Sequence, residues 1–329
     1  MQFLDNEIAP LGMGCWPIGG PMFRGGEPLG YANSDDAESI RTIHAALASG
    51  ITLFDTAAAY GAGHAERLLA RALKHRPEAL IATKIGVAID ESTKELIGDE
   101  TEPETVLPAI EAALTRLGRD RIDLVLLHQN DFPVEKAEPI FDELERALRA
   151  GKIRAYGWST DISRLAAAIA PRPAFVAVEH AMNVLLDAPR MQAVIRQNGL
   201  IALIRSPLAM GLLTGKYGVD AVMREDDIRS TSNPVTDYFR NAGVNPKMLS
   251  QIEAIKDLLT VGGRRLAQGA ICWLWAKGDM NLPIPGARTV EQIENLAGSQ
   301  AFSPLPDEVM AEIESLIERE PSDAPDRAR

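Results

Sequence analysis

Ile51-Thr52-Leu53-Phe54-Asp55-Thr56-Ala57-Ala58-Ala59-Tyr60-Gly61 opens as a short apolar strand, ends that strand on a carboxylate and sets a tyrosine five residues further on. The same construction recurs twice. Lys84 closes Ala79-Leu80-Ile81-Ala82-Thr83, and His128 closes Ile122-Asp123-Leu124-Val125-Leu126-Leu127. Polar groups at the C-terminal ends of consecutive buried parallel strands converge on one mouth when the sheet curls shut. The stretches together therefore predict an α/β fold, a (β/α)8 TIM barrel with its active site at the C-terminal ends of the strands.

Working outward, short aliphatic and β-branched runs alternate with longer amphipathic ones, the pattern of repeated strand-helix units around a parallel sheet. Strands are expected at 11 to 16, 51 to 55, 79 to 84, 122 to 127, 153 to 158, 174 to 178, 200 to 204 and 281 to 284. Helices are expected at 35 to 49, 64 to 75, 103 to 117, 137 to 149, 162 to 169, 188 to 198, 264 to 277 and 289 to 298, with two more outside the repeat near 246 to 259 and 306 to 318. Ser34 reads as the N-cap of the first helix, with Asp35 and Asp36 in its first turn and Gly50 as its stop. Pro103 suits a first turn, which needs no amide donor there. Residues 1–319 are expected to form one domain, followed by a flexible acidic tail at 320–329. Two long connections, 85 to 102 and 205 to about 245, follow strand ends and so flank the same mouth. Arg224, Glu225, Asp226, Asp227 and Arg229 in the second read as a mobile, solvated segment.

The chain has 329 residues, 46% hydrophobic and 24% charged, with a formal net charge of −12. That charge argues against a nucleic acid or an anionic membrane as partner, since both require a basic surface. It also means that any anionic cofactor has to be met by arginine and lysine gathered locally. Only Cys15 and Cys272 occur, without metal-ligand spacing, and no apolar stretch reaches the length of a membrane span. No metal is expected, and a cytoplasmic location is the expectation.

The three strand-end residues and Tyr60 form a coherent chemical set. A lysine ammonium beside a tyrosine stabilises phenolate, which lets the phenol act as a general acid. Asp55 would keep Lys84 charged and oriented, and His128 would orient a carbonyl. An alkoxide produced by hydride addition needs such a donor, with the hydride coming from a cofactor. Asp55, Tyr60, Lys84 and His128 are thus the candidate catalytic residues.

Six stretches in order resemble the aldo-keto reductase family. They are Leu53 to Gly61 with Glu66 following, Ile81-Ala82-Thr83-Lys84, Leu127-His128-Gln129-Asn130-Asp131, Gly151 to Ser159, Ser206 to Tyr217, and Pro283 to Thr289. The resemblance covers about residues 8 to 310 and implies reduction of an aldehyde or ketone by NADPH, without a Rossmann domain. Gly12-Met13-Gly14 accordingly lacks the dinucleotide glycine spacing and reads as backbone clearance beside the cofactor.

The cofactor contacts that the resemblance implies are Gly14, Cys15, Trp16, Asp55, Ser159, Glu179, Arg205, Ser206, Pro207, Leu208, Gly211, Leu212, Gly215, Lys216, Gly286, Arg288, Gln292 and Asn295. Ser159 matches the carboxamide-binding serine, Gly211 to Lys216 the loop over the pyrophosphate, and Arg288 with Gln292 the segment at the adenosine 2′-phosphate. A bidentate arginine there favours NADP over NAD. Three positions depart from the pattern. Glu179 replaces a glutamine, Arg205 replaces a stacking aromatic, and Leu296 replaces an amide at the adenine; an Arg205–Glu179 pair is the expectation for the first two.

Taken singly, each residue has a plainer reading. Asp55 fits a turn acid, Lys84 a solvated strand end, and Arg205 a charge paired with an acid at the rim. His44, His64 and His75 read as helix-surface residues and His180 as structural; Trp16 reads equally as a pocket wall or a barrel cap. Met22, Phe23 and Arg24 are candidate substrate contacts. Beside carbonyl reduction, two other functions fit the residues: an NAD(P)-dependent dehydrogenase of a sugar or other alcohol, and a cofactor-sensing accessory subunit. Substrate and oligomeric state are not legible.

Overall fold

The computed structural model describes residues 1–230 and 238–319; the expected acidic tail lies outside them. Eight parallel strands form one sheet: β1 (Met13–Gly14), β2 (Leu53–Asp55), β3 (Leu80–Ile85), β4 (Ile122–Leu127), β5 (Ile153–Ser159), β6 (Phe175–Ala181), β7 (Ile201–Arg205) and β8 (Asn281–Pro283). The last strand meets the first through Gly12 N–H to Pro283 O at 2.9 Å and Gly14 N–H to Pro285 O at 3.0 Å, so the sheet closes into a (β/α)8 barrel. A Cβ on Gly14 would sit 2.6 Å from the Ile284 carbonyl oxygen. The clearance expected of Gly14 thus serves barrel closure first.

The helices are α1 (Asp36–Ala48), α2 (His64–Ala72), α3 (Val106–Leu117), α4 (Val134–Arg149), α5 (Ser163–Ile169), α6 (Pro189–Asn198), α7 (Pro246–Leu259), α8 (Leu266–Lys277), α9 (Val290–Ala297) and α10 (Asp307–Leu316). The cap of α1 is Asp35 rather than Ser34; its carboxylate accepts from Glu38 N–H at 2.7 Å. Among the described residues, no helix is long and apolar enough to cross a membrane.

Strand periodicity explains where the site lies. Leu53, Ala82, Leu124, Leu126, Ala155, Ala177, Leu203 and Leu282 fill the barrel interior, closed below by Phe3 and Ile8 from the N-terminal segment. Phe54, Ile81, Val125, Trp158 and Val178 face the helices instead. Successive side chains on a strand point to opposite faces. Counting in twos from the interior residues brings Asp55, Lys84, His128, Ser159, Glu179 and Arg205 inward, as the polar top layer of an otherwise apolar core.

Two connections expected as loops carry structure of their own. Phe23–Arg24 and Glu27–Pro28, after β1, join Val87–Asp90 and Glu95–Asp99, after β3, in a four-stranded sheet beside the mouth. Their short strands lack the long alternation by which a strand is recognised in sequence.

Candidate active site

Lys84 Nζ is the hub of the polar layer. It donates to Asp55 Oδ1 at 2.7 Å and Oδ2 at 2.8 Å, to Thr56 O at 2.9 Å and to Tyr60 Oη at 3.1 Å. Glu179 Oε2 lies 3.1 Å from the same nitrogen. Tyr60 is set by the turn after β2, where Gly61 adopts φ +62° and a Cβ on it would collide with Gly19 O at 1.9 Å. Trp16 stacks on Tyr60 at 6.1 Å between ring centroids, and His128 meets it edge-on at 6.3 Å. The three residues expected at the strand ends thus come together around one phenol.

The charges in this layer are far from their solution states. Burial, reinforced by Glu179, raises the Asp55 carboxyl well above the usual carboxylate range in spite of Lys84. Burial pulls the Lys84 ammonium down, but Asp55 and Glu179 outweigh it and hold the amine charged. For Tyr60 the expectation of a lowered phenol is overturned. Lys84 does pull downward, yet burial is the larger effect and Asp55 and Glu179 add to it, so the phenol is raised above its ordinary value. Tyr60 stands as a firmly protonated donor.

His128 is held down to about 3 by burial and by the nearby cations Lys84, Arg205 and Arg24. Its Nδ1 has no hydrogen-bond partner among the described residues. A neutral imidazole at the cavity wall can orient a carbonyl but has no proton to lose between pH 5 and 8. The expected pH profile of kcat/KM therefore has no inflection across that range that His128→Gln removes. Such an inflection would show that the imidazole titrates in the working enzyme.

A cavity of about 610 Å3 opens from this layer. Asp55, Tyr60 and His128 line it, and Lys84 stays behind its wall. Of the expected cofactor contacts, Gly14, Trp16, Ser159, Glu179, Arg205, Ser206, Pro207, Leu208, Gly211, Lys216, Gly286, Arg288, Gln292 and Asn295 line it as well. Cys15, Leu212 and Gly215 do not: the Cys15 thiol points back to Met13 O, Leu212 is buried, and Gly215 turns the chain at φ +77°. Leu296 forms part of the wall, as do Met22 and Arg24; Phe23 does not. Ser206, Ala209 and Met210 all adopt left-handed φ near 50°. Strain of that kind in non-glycine residues gathers where a backbone is shaped for a ligand.

The Arg205–Glu179 pair does not form. Arg205 pairs with Asp161, whose other oxygen accepts Ala181 N–H at 2.7 Å, while Glu179 turns to Lys84. The 224–229 stretch is also unlike the expectation. Arg224 and Asp226 pair on the surface, but Asp227 and Arg229 are buried, joined by contacts of 2.7 Å, and Arg229 also binds the Tyr217 hydroxyl. Asp227 reaches Ala32 N–H, and Ile228 N–H reaches Gly30 O at 2.9 Å, so this segment is fastened to the loop after β1. Arg229, expected to be solvated, lines the cavity together with Tyr31, for which the sequence carried no functional expectation. Their signal was slight: an arginine two residues from an aspartate reads first as a solvated pair. Arg288 donates to Ala32 O at 2.6 Å, and its backbone N–H donates to Gln292 Oε1 at 2.9 Å.

His44 and His64 sit at helix surfaces and His180 in the interior, as expected, whereas His75 lies in the turn after α2. His180 is buried against Gln192, His64 meets Asp36 and His44 meets Ala72 O. Trp158 supports the layer by donating to Gln129 O at 2.7 Å.

The sequence profile described as "Aldo/keto reductase family" matches residues 10–318. The chain is 30% identical to "Aldo-keto reductase yakc [NADP(+)]" of Schizosaccharomyces pombe over 90% of this chain and 85% of that one. It is 27% identical to the "NADH-specific methylglyoxal reductase" of Escherichia coli, over 96% and 97%. Among solved structures, it resembles the glycerol dehydrogenase AKR11B4 from Gluconobacter oxydans with a TM-score of 0.80 and 26% identity, covering 99% of this chain and 96% of that one.

Proposed function

This chain belongs to the aldo/keto reductase family, and on that premise we propose that it reduces an aldehyde or ketone to an alcohol with NADPH, Tyr60 acting as the general acid. The observation that carries the reading is the single hydrogen-bonded hub in which Lys84 binds Asp55 and Tyr60 beneath a cavity open to His128. When bound, a nicotinamide cofactor would supply the hydride. The residues fit such a group: cations Lys216 and Arg288 suit its phosphates, and Ser159 suits a carboxamide. Tyr60 Oη then gives its proton to the oxygen that takes up negative charge, His128 holds that oxygen in place, and Lys84 steadies the phenolate left behind.

The test is the rate of NADPH oxidation on a panel of aldehydes and ketones, run for the wild type and Tyr60→Phe. Unchanged rates in the variant would overturn the assignment. The NADH-specific relative and the glycerol dehydrogenase give weight to the other cofactor and the other direction, so alcohol oxidation with NADP and NAD belongs in the same assay. Faster turnover with NAD than with NADP would reverse the cofactor preference.

Arg288 is the natural discriminator, because a guanidinium recognises a phosphate bidentately and finds no such partner on NAD. Arg288→Ala should raise the Kd for NADPH roughly tenfold or more, about 1.4 kcal/mol, with a much smaller effect on NADH. Equal weakening of both in a binding titration would place the 2′-phosphate elsewhere.

A further inference from the structure

Lys84 has three hydrogens to give. Asp55, Thr56 O and Tyr60 use all three directions. Glu179 Oε2, fully buried and 3.1 Å from the ammonium, is left as an acceptor with no hydrogen-bond partner among the described residues. Glu179 itself is 1% exposed, Asp55 is 2% and Lys84 is 1%, so water does not relieve the mismatch. Two carboxylates against one ammonium also leave the layer one negative charge in excess, and an unpaired buried charge is expensive. Like charges this close resolve the conflict by keeping one proton between them.

We propose that Glu179 is a positioning residue of the acid–base site: it shares one proton with Asp55 across Lys84, and once that proton has left its negative charge keeps Tyr60 in its protonated form to higher pH. The proton supplies the hydrogen that the orphaned Oε2 lacks. When it leaves as pH rises, the layer turns net negative beside the phenol and opposes formation of phenolate. The raised Asp55 carboxyl and the raised Tyr60 phenol both include a contribution from Glu179.

The groups facing Glu179 are few. Asp55 comes from β2, Tyr60 from the turn after it, and Lys84 from β3. Arg205 on β7 is already paired with Asp161 from the loop after β5. His128, after β4, is neutral, and the Cys15 thiol after β1 is raised by burial. None of these offers Glu179 a second cation in contact.

This inference rests on Tyr60 being the acid, so the test separates the two. In the cofactor-free protein at neutral pH, infrared difference spectra of wild type minus Glu179→Gln should show the carbonyl stretch of a protonated carboxylic acid. Wild type minus Asp55→Asn should show it too. For reductive turnover, Glu179→Gln should move the basic limb of kcat to lower pH by about one unit or more, with Tyr60→Phe as the reference inactive variant. Absence of the carboxylic acid band from both difference spectra, or an unmoved basic limb in a folded Glu179→Gln protein, overturns the inference while Tyr60→Phe remains inactive. If Tyr60→Phe is fully active, the functional reading fails instead, and the infrared result alone then decides whether the proton is shared.

Discussion

Replacing Tyr60 by phenylalanine is expected to lower kcat for carbonyl reduction by roughly 10²–10⁴-fold, the span that a positioned general acid contributes. The substitution removes one oxygen and little else. The ring keeps its stack on Trp16 and its edge contact with His128, so the cavity wall keeps its shape. Lys84 loses one hydrogen-bond partner at 3.1 Å but retains Asp55 and Thr56 O. Ground-state binding has little reason to change, so the loss should fall on kcat with KM and the cofactor Kd nearly constant, as for an interaction made in the transition state. A fall in kcat/KM caused entirely by a higher KM would instead make Tyr60 a binding residue. The alternative of a cofactor-sensing subunit predicts no measurable turnover in either protein, with cofactor binding preserved in both.

The barrel, Tyr60 and the three residues around it were legible because each depends on local pattern alone. Apolar strands with a period of two fix which residues face inward, and their last inward residue is Asp55, Lys84 or a neighbour of that rank. Charge pairing was less legible. Glu179 and Arg205 lie on adjacent strands, which invites pairing them, yet each found a stronger partner that sequence spacing does not reveal. Asp161 belongs to the loop after β5, and Lys84 lies across the barrel from Glu179. The phenol was misjudged for a related reason. A neighbouring ammonium is visible in sequence, but the depth of burial that outweighs it is a property of the closed layer. Asp227 and Arg229 look like surface charges until Ala32, Gly30 and Tyr217 are brought against them. The sheet built from the loops after β1 and β3 was hidden for want of long strands.

Lys84→Met should cost about 3–5 kcal/mol of stability near neutral pH, because removing one member of a buried ion pair strands the other. Here two carboxyls would be stranded, Asp55 and Glu179, both nearly inaccessible. The methionine fills most of the space, so the loss is electrostatic more than a matter of packing. Its pH dependence gives the sign. Lys84 is held above its ordinary value, so its stabilisation is complete below the unfolded value of about 10.4 and fades as pH rises through the higher folded value. Asp55 is also raised when folded, so its contribution is greatest below about 3.9 and is lost as pH rises through its folded value. Without the ammonium, the acids must take up protons to remain buried, and this becomes cheaper on acidification. The destabilisation measured by urea unfolding should therefore be largest near pH 7 to 8 and shrink toward pH 4 to 5, the reverse of acid denaturation driven by paired carboxylates. A loss below about 1 kcal/mol at neutral pH, in the range of an exposed pair, or one that is independent of pH, would mean that Lys84 is not the charge that holds this layer together.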